Sequence, residues 1–596
     1  MIRPQQLKTV GFFGVLLAMD WVLFFRHAGH FFQGDTIFLL NHRAHSLSEY
    51  LREFNHLNPS GWYRPLANEL LESVLFPFAG LNPVPYRIPV YLTFIAITVA
   101  VYALGVALTR RRLAGAIAAF FFTIHTTNAY VTYDLGFMPE LLFTLFFLLA
   151  ALAFCRYLQD RNKTALALSV ISFAGSLLSK EAAVTLPAIL ILTALLSGSQ
   201  NFRERVIFAL RSTIPHVLVL AVYLAFAVGY LNVMNLSIRT LFDPSQKPNP
   251  GDYIPVFNRD VLTNANLALT WAFNIPHGFW GHWQSLGPSM VGYLKAFRTL
   301  VLVLAAIVLI TSKKRSVVVL GLAWFWITVL PALPLVAHFM VYYLFLPVVG
   351  LSLIVSTGFV WLYDRLRQLQ PVIAAAALVL IFGGAFYVSS RIIRTEIRDN
   401  DLLGGSSKTA SNTLGDLKGL YPRLPEDAML YFVDAKEPIA WHHDSGGLIR
   451  MAYATDGIKS LYQSQGDRLL PEMKNMFVFD VRGGRLSDET TSYRFNPIRL
   501  MKFGESDMRL AVSPVEVVAG RDKYVLRISR LTNVVVRIAY TIDNGPMEAF
   551  DTELDAKGEV TFPVGKGTRR GLYSFLAFKA DNSNDWIRAA QNLRVR

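Results

Sequence analysis

A few ionisable residues of this chain stand where they can do chemistry at the edge of an apolar phase. Asp35 lies in FFQGDTIFLL, flanked by Gly34 and apolar residues just beyond the first long hydrophobic run. A desolvated carboxylate there can act as general base towards a hydroxyl, although the same residue would also serve as a helix cap or a solvated loop acid. Glu140, in YDLGFMPELLF, follows Pro139 at the start of another apolar run. An acid in a first helical turn complements the helix dipole, and this one is expected on the same side as Asp35, with Asp134 a weaker candidate nearby. Lys180 and Glu181, in LLSKEAAVTLPAIL, are pinned between two apolar runs with almost no loop. A cation in that place can neutralise a phosphate leaving group with Glu181 orienting it, and an ion-paired hairpin is the plain alternative. Arg64, in SGWYRPLANELL, offers a planar fork for phosphate or carboxylate, while Trp62 and Tyr63 beside it fit an ordinary aromatic belt. His338 and Tyr342, with Tyr343, sit at a helix junction where such residues line a cavity or anchor an interface.

The elements that must position these groups are hydrophobic helices. The chain has 596 residues, 53% of them hydrophobic and only 17% charged, so bilayer is its natural solvent. Apolar runs long enough to cross a hydrocarbon core start near Val10, Ile88, Leu113, Leu141, Ala165, Ala182, Ile214, Phe297, Val317, Tyr342 and Pro371, predicting about eleven transmembrane helices. The stretch from Val261 to Trp283 is interrupted by Asn264, Asn266, Asn274, His277 and His282 and reads as interfacial or re-entrant.

The net charge of +15 does not point to nucleic acid, because the basic residues fall in short clusters between apolar runs. Alternate connections carry Arg110 to Arg112, then Arg156, Arg161 and Lys163, then Arg203, Arg205 and Arg211, then Lys313 to Arg315, then Arg365 and Arg367. The positive-inside rule puts these, with Arg3 and Lys8, in the cytoplasm. The segments bearing Asp35, Arg64, Glu140 and Lys180 then face the other side, as does everything after Val388. The first run is followed by Arg26, His27 and His30 rather than a cleavage site, and reads as a retained helix.

Past residue 390 the composition becomes that of a water-soluble region. Ser411 to Tyr421 predicts a helix, and Ala428 to Ala435 and Met476 to Val481 predict strands, giving a small α/β module over 391–505. Over 506–596 the pattern is strand. In VVVRIAYTIDNG the residues Val534, Val536, Ile538, Tyr540 and Ile542 alternate with Arg537, Thr541 and Asp543 before an Asn544-Gly545 turn, and Leu572 to Ala580 is another strand. An immunoglobulin-like β-sandwich fits. The chain is thus expected to be a polytopic α-helical membrane protein with a C-terminal soluble α/β plus β-sandwich region. One cysteine, Cys155, supports neither an internal disulfide nor a cysteine metal site, and no HExxH, Walker A, GxGxxG or CxxC pattern is present. Asn235-Leu236-Ser237 matches a glycosylation sequon, a frequent chance pattern.

The order of these features is more telling than any one of them. An acid after helix one, WYRPL before helix two, an acid before helix four and SKE between helices five and six resemble the GT-C glycosyltransferases. More narrowly, the chain resembles the branch that holds the protein O-mannosyltransferases, the tetratricopeptide-bearing mannosyltransferases and the bacterial lipid A aminoarabinose transferase. GDTIFLLNH, WYRPLANELLESVLFPFAGLNPVPYR, LLSKEAAVTLPAIL and PLVAHFMVYYLFLP carry the resemblance, which covers about Val10 to Arg391 over a domain taken as 1–390. It implies a polyprenyl-phosphate sugar donor, a protein or glycan acceptor, inversion at the anomeric carbon and an active site on the periplasmic or luminal side, a bacterial inner membrane being the favoured location. By motif Asp35 would be the catalytic base and Glu140 the second acid, with Arg64 and Lys180 on the donor phosphate. A divalent metal is compatible with such a site, but these residues do not demand one. Many relatives place two acids together after the first helix, where this chain has Asp35 alone between Gly34 and Thr36. An inactive scaffold of the same fold, or a secondary transporter, would be the alternatives.

Overall fold

The computed structural model describes residues 4–596 apart from 53, 55–62, 68–69, 198–200, 234–254, 276–286, 468–474, 492–509, 530–531, 533–534, 544–546, 580–586 and 590. Trp62, the Asn235 sequon, His277, His282 and the Asn544-Gly545 turn lie outside the described residues. The chain separates into two compact units, Met1–Gly405 and Ser406–Arg596.

In the first unit each of the eleven apolar runs is helical: α1 (Pro4–Leu23), α2 (Val84–Thr109), α3 (Arg112–Thr123), α4 (Met138–Asp160), α5 (Lys163–Ser179), α6 (Leu186–Ser197), α7 (Phe202–Val233), α8 (Pro288–Thr311), α9 (Arg315–Val329), α10 (Pro347–Leu369) and α11 (Pro371–Asp399). Among the described residues, seven candidate spans are long and apolar enough to cross a membrane by length and composition, while α3, α5, α6 and α9 are shorter. Short spans are tolerated where neighbouring helices take over from lipid. The stop and start signals are chemical. Arg110 and Arg161 end α2 and α4 in the left-handed conformation, with φ of 60° and 54°. Prolines open α4, α8, α10 and α11 at positions where no backbone N–H is needed.

Close helix packing rests on glycine. A Cβ at Gly321 of α9 would stand 2.6 Å from the carbonyl oxygen of Gly350 in α10, and one at Gly350 would stand 2.5 Å from that of Gly321. The two backbones touch there, as small residues allow inside a membrane, where apolar burial supplies little drive for association. The region of mixed polarity after Val261 forms a helix over Asp260–Trp271, in which Asn264 donates to the Leu333 carbonyl oxygen at 2.9 Å. Asn274 beyond it accepts from the Thr126 hydroxyl at 2.8 Å and donates to Ser389 at 3.1 Å. Asn264 and Asn274 are thus satisfied by protein, which is what makes buried polar side chains tolerable within such a bundle.

The second unit opens with a helix over Ser406–Leu420, longer than the predicted one. Strands β1 (Met429–Val433), β2 (Lys459–Tyr462), β3 (Met476–Arg482) and β4 (Arg485–Asp488) form one sheet in the order β2-β1-β3-β4, parallel except for the last pair. The remaining strands form two sheets. One has the order β10-β7-β5, with β5 (Leu510–Ser513), β7 (Lys523–Ile528) and β10 (Glu559–Pro563). The other has the order β6-β13-β11-β8-β9, with β6 (Glu516–Val517), β8 (Val535–Ile542), β9 (Met547–Glu553), β11 (Gly571–Lys579) and β13 (Leu593–Val595), and with β12 (Ile587–Arg588) also paired to β11. Leu526 and Ile528 from the first sheet share a buried cluster with Val536, Ile538 and Phe575 from the second. Two sheets with a shared apolar core are a β-sandwich.

Candidate active site

Helix connectivity brings the candidate residues to one end of the first unit, because α2 and α4 start there and α5 ends there. The basic connections at Arg110 to Arg112 and Arg161 to Lys163 close the opposite ends of the same helices, and Lys313 to Arg315 joins α8 to α9. Two clusters form at the acidic end.

The first is built on a short helix over Gly34–Asn41, which carries Asp35 in its first turn with the carboxylate exposed. Asp35 packs against Gly136, where an added Cβ would meet the Asp35 Cβ at 3.3 Å and Asp134 Oδ1 at 3.1 Å. Asp134 is buried and its Oδ1 accepts from the Thr36 hydroxyl at 2.7 Å and from the Gly136 N–H at 2.8 Å. Burial, and next the charge of Asp35, push the Asp134 carboxyl up to about 7 against the pull of those two bonds and of Arg87. Arg87 is also buried and donates to the carbonyl oxygens of Tyr133 and His30, tying the loop after α1 to the one before α4. His30 completes the tie through a 2.9 Å hydrogen bond with the Tyr133 hydroxyl.

The second cluster lines a cavity of about 380 Å³. Arg64 meets Glu181 through two parallel hydrogen bonds, Nε to Oε2 at 2.9 Å and Nη2 to Oε1 at 2.7 Å. Lys180 is ion-paired with Glu140, and both side chains are only 6% exposed. The Lys180 ammonium also lies 5.3 Å from the Tyr343 ring centre and 5.9 Å from that of Tyr342, within reach of a cation–π attraction. Around these polar groups the wall is apolar, with Phe143, Leu224, Leu335 and Phe345 among its residues. Such a mixture of greasy wall and paired cations suits a ligand with an apolar tail and an anionic head.

The structure therefore gathers Arg64, Glu140, Lys180, Glu181 and Tyr342 in one cavity. His338 stands behind it, bonded to the Tyr342 hydroxyl at 2.9 Å. Asp134, the weaker candidate, is the acid beside Asp35, while Glu140, in the first turn of α4, pairs with Lys180. One expectation is corrected. Glu181 orients Arg64 rather than Lys180, since adjacent residues at the end of a helix point apart. The two clusters adjoin through Phe137, whose ring centre lies 4.6 Å from that of Tyr342. Sequence reasoning passed over Thr36 and Arg87; the buried arginine at the head of an apolar helix was the available signal for the latter.

The described bundle thus carries, at one end, a carboxylate pair beside an amphiphilic, cation-bearing cavity. Residues 64–231 match the family model of dolichyl-phosphate-mannose-protein mannosyltransferase, a segment that contains Arg64, Asp134, Glu140, Lys180 and Glu181. Over that segment the chain is similar to membrane mannosyltransferases. Solved structures of similar shape include two of the Archaeoglobus fulgidus oligosaccharyltransferase. The first, tethered by a disulfide to an acceptor peptide containing the NVT sequon, is 11% identical with a TM-score of 0.42, and the alignment covers 76% of this chain and 63% of that one. The second, in complex with Zn and sulfate, is 10% identical with a TM-score of 0.43, covering 98% and 99%. No curated protein sequence matches the chain.

Proposed function

We propose that the chain transfers a sugar from a polyprenyl-phosphate donor to a protein or glycan acceptor on the periplasmic face of a bacterial inner membrane. The observation that carries this reading is the cavity in which an apolar wall meets Arg64 and Lys180 beside the Asp35–Asp134 pair. A polyprenyl chain is too apolar to leave the bilayer, so its phosphate has to find cations at the membrane boundary. Each cation is balanced by a carboxylate. Glu181 is 47% exposed and the more easily displaced, whereas Glu140 is buried and stays with Lys180. A donor phosphate then shares Arg64 and gains the field of Lys180.

In the transfer, the acceptor oxygen bonds to the anomeric carbon as the bond from that carbon to the phosphate oxygen breaks. The acceptor proton goes to Asp35, and the electron pair leaves with the phosphate, where Arg64 and Lys180 stabilise it. A single in-line displacement of this kind inverts the anomeric carbon. Asp35 suits the role of base because its carboxylate reaches water, while Asp134 alongside is buried and proton-retaining. A divalent cation at this pair would take most of its ligands from water and the donor phosphate, since among the described residues no three His, Cys, Asp or Glu converge. With the basic connections cytoplasmic, the N-terminus is cytoplasmic and the second unit stands outside, where it would guide the acceptor.

The test is transfer from a panel of labelled polyprenyl-phosphate sugars in membranes containing the wild type or Asp35→Asn. Transfer lost in the variant at equal protein level is expected. Equal transfer would remove Asp35 from the chemistry, and a wild type that releases sugar from no donor would leave an inactive scaffold of this fold.

A further inference from the structure

The opposite end of the bundle carries a second cavity, of about 510 Å³, which the transfer reaction does not use. Three separate connections converge on it: the α2–α3 link with Arg110 and Arg111, the α8–α9 link with Lys313 and Lys314, and the last turns of α10 with Trp361, Asp364 and Arg365. Five basic side chains thus face one acid, and that acid, Asp364, is already ion-paired with Arg111. The Arg365 guanidinium lies 5.6 Å from the Trp361 ring centre, which holds it towards the cavity. The α10 helix begins at the wall of the acidic-end cavity with Pro347 and reaches Arg365 after 18 residues, about 27 Å of helix rise. The two cavities therefore belong to opposite faces of the membrane.

Basic residues at helix ends are what topology requires, but topology needs only that they lie near the ends. It does not need three connections to enclose one concave, aromatic-backed space with four cations left over from the single ion pair. Basic pockets between transmembrane helices at a membrane face recognise phosphate-bearing lipid headgroups. We infer that this cavity binds the phosphate headgroup of an anionic phospholipid of the leaflet opposite the active site. The headgroup would bridge α2, α8 and α10, helices that meet at this end through exposed loops, and so brace the bundle on which the catalytic end is mounted.

The test uses the full-length protein in neutral detergent, with native mass spectrometry counting retained lipid. The additions are phosphatidylglycerol, phosphatidylcholine and inorganic phosphate, each added alone, and the first against the third. The variant is Lys313→Gln/Lys314→Gln/Arg365→Gln, which changes exposed side chains and spares the Arg111–Asp364 pair. A charge-matched control, Lys163→Gln/Arg203→Gln/Arg367→Gln, alters exposed residues at the same end that do not line the cavity. Each basic group near a headgroup is worth about fivefold in affinity, so the variant should hold phosphatidylglycerol at least about tenfold more weakly, with phosphatidylcholine retention unchanged. The control should bind like the wild type. If the triple variant melts earlier, Lys313→Gln/Lys314→Gln, confined to the loop, serves in its place with a smaller loss. Equal retention in wild type and variant, or equal losses in variant and control, would overturn the proposal. Displacement of the lipid by inorganic phosphate at matched concentration would overturn it too, in favour of a soluble phosphate ligand.

Discussion

Replacing Asp134 by Asn should make the protein more stable at alkaline pH and much less active. The asparagine Oδ1 can accept the same two hydrogen bonds that Asp134 takes from Thr36 and the Gly136 N–H, so geometry is retained while the titrating proton is removed. In the folded protein the carboxyl is held at about 7, first by burial and then by Asp35, against an ordinary 3.8. The folded state therefore binds this proton more tightly than the unfolded chain. Its contribution is intact below about pH 4, falls as pH rises through about 7, and is lost beyond that. The loss is at most about 4 kcal/mol, less whatever Asp35 absorbs by taking up a proton itself. Melting in detergent from pH 4 to 9 measures it. The variant and wild type should coincide near pH 4, and the variant should melt several degrees higher at pH 8. Transfer by the variant should fall by about a hundredfold, as expected for a group whose strain is retained for chemistry. A melting difference that does not change with pH, or a variant less stable at pH 8, would refute the assignment of Asp134 as a buried, proton-retaining neighbour of Asp35.

Other perturbations separate binding from fold. Glu140→Gln leaves the Lys180 ammonium buried without its counter-charge, a loss of about 3 to 5 kcal/mol, so expression and melting temperature should drop; Glu140→Gln/Lys180→Met should recover the fold but not transfer. Arg64→Lys gives up the two-pronged contact with Glu181 in favour of a point charge, and should raise the donor KM by about tenfold with little change in melting temperature. Gly136→Ala drives a methyl group between Asp134 Oδ1 and the Asp35 Cβ, and steady-state transfer should fall while circular dichroism and melting stay near the wild type. Gly350→Ala places its methyl 2.5 Å from the Gly321 carbonyl oxygen, so the helix pair must part; protein yield from membranes should fall sharply.

What was legible in the sequence, and what was not, follows from the range of the forces involved. An apolar run announces its helix because every residue contributes to the same transfer free energy, so all eleven runs are helical even where the helix is only 12 residues long, as in α3 and α6. Strand alternation in Val536 and Ile538 is equally local and places both in the sandwich core. The pairing of charges is not local. Whether Asp35 meets Glu140 or Asp134 depends on the three-residue turn Leu135–Phe137, which redirects the chain between the two acids and has no periodicity to read. The same limit governs Lys180 and Glu181. They are neighbours in sequence, yet one ends a helix with extended backbone and the other starts a tight turn, so their side chains leave in different directions and take different partners. A site made of paired charges at a membrane boundary is specified by these short irregular joints. Substitutions within them that keep every charge, Gly136→Ala first among them, should therefore disturb transfer more than substitutions along the helices that hold them.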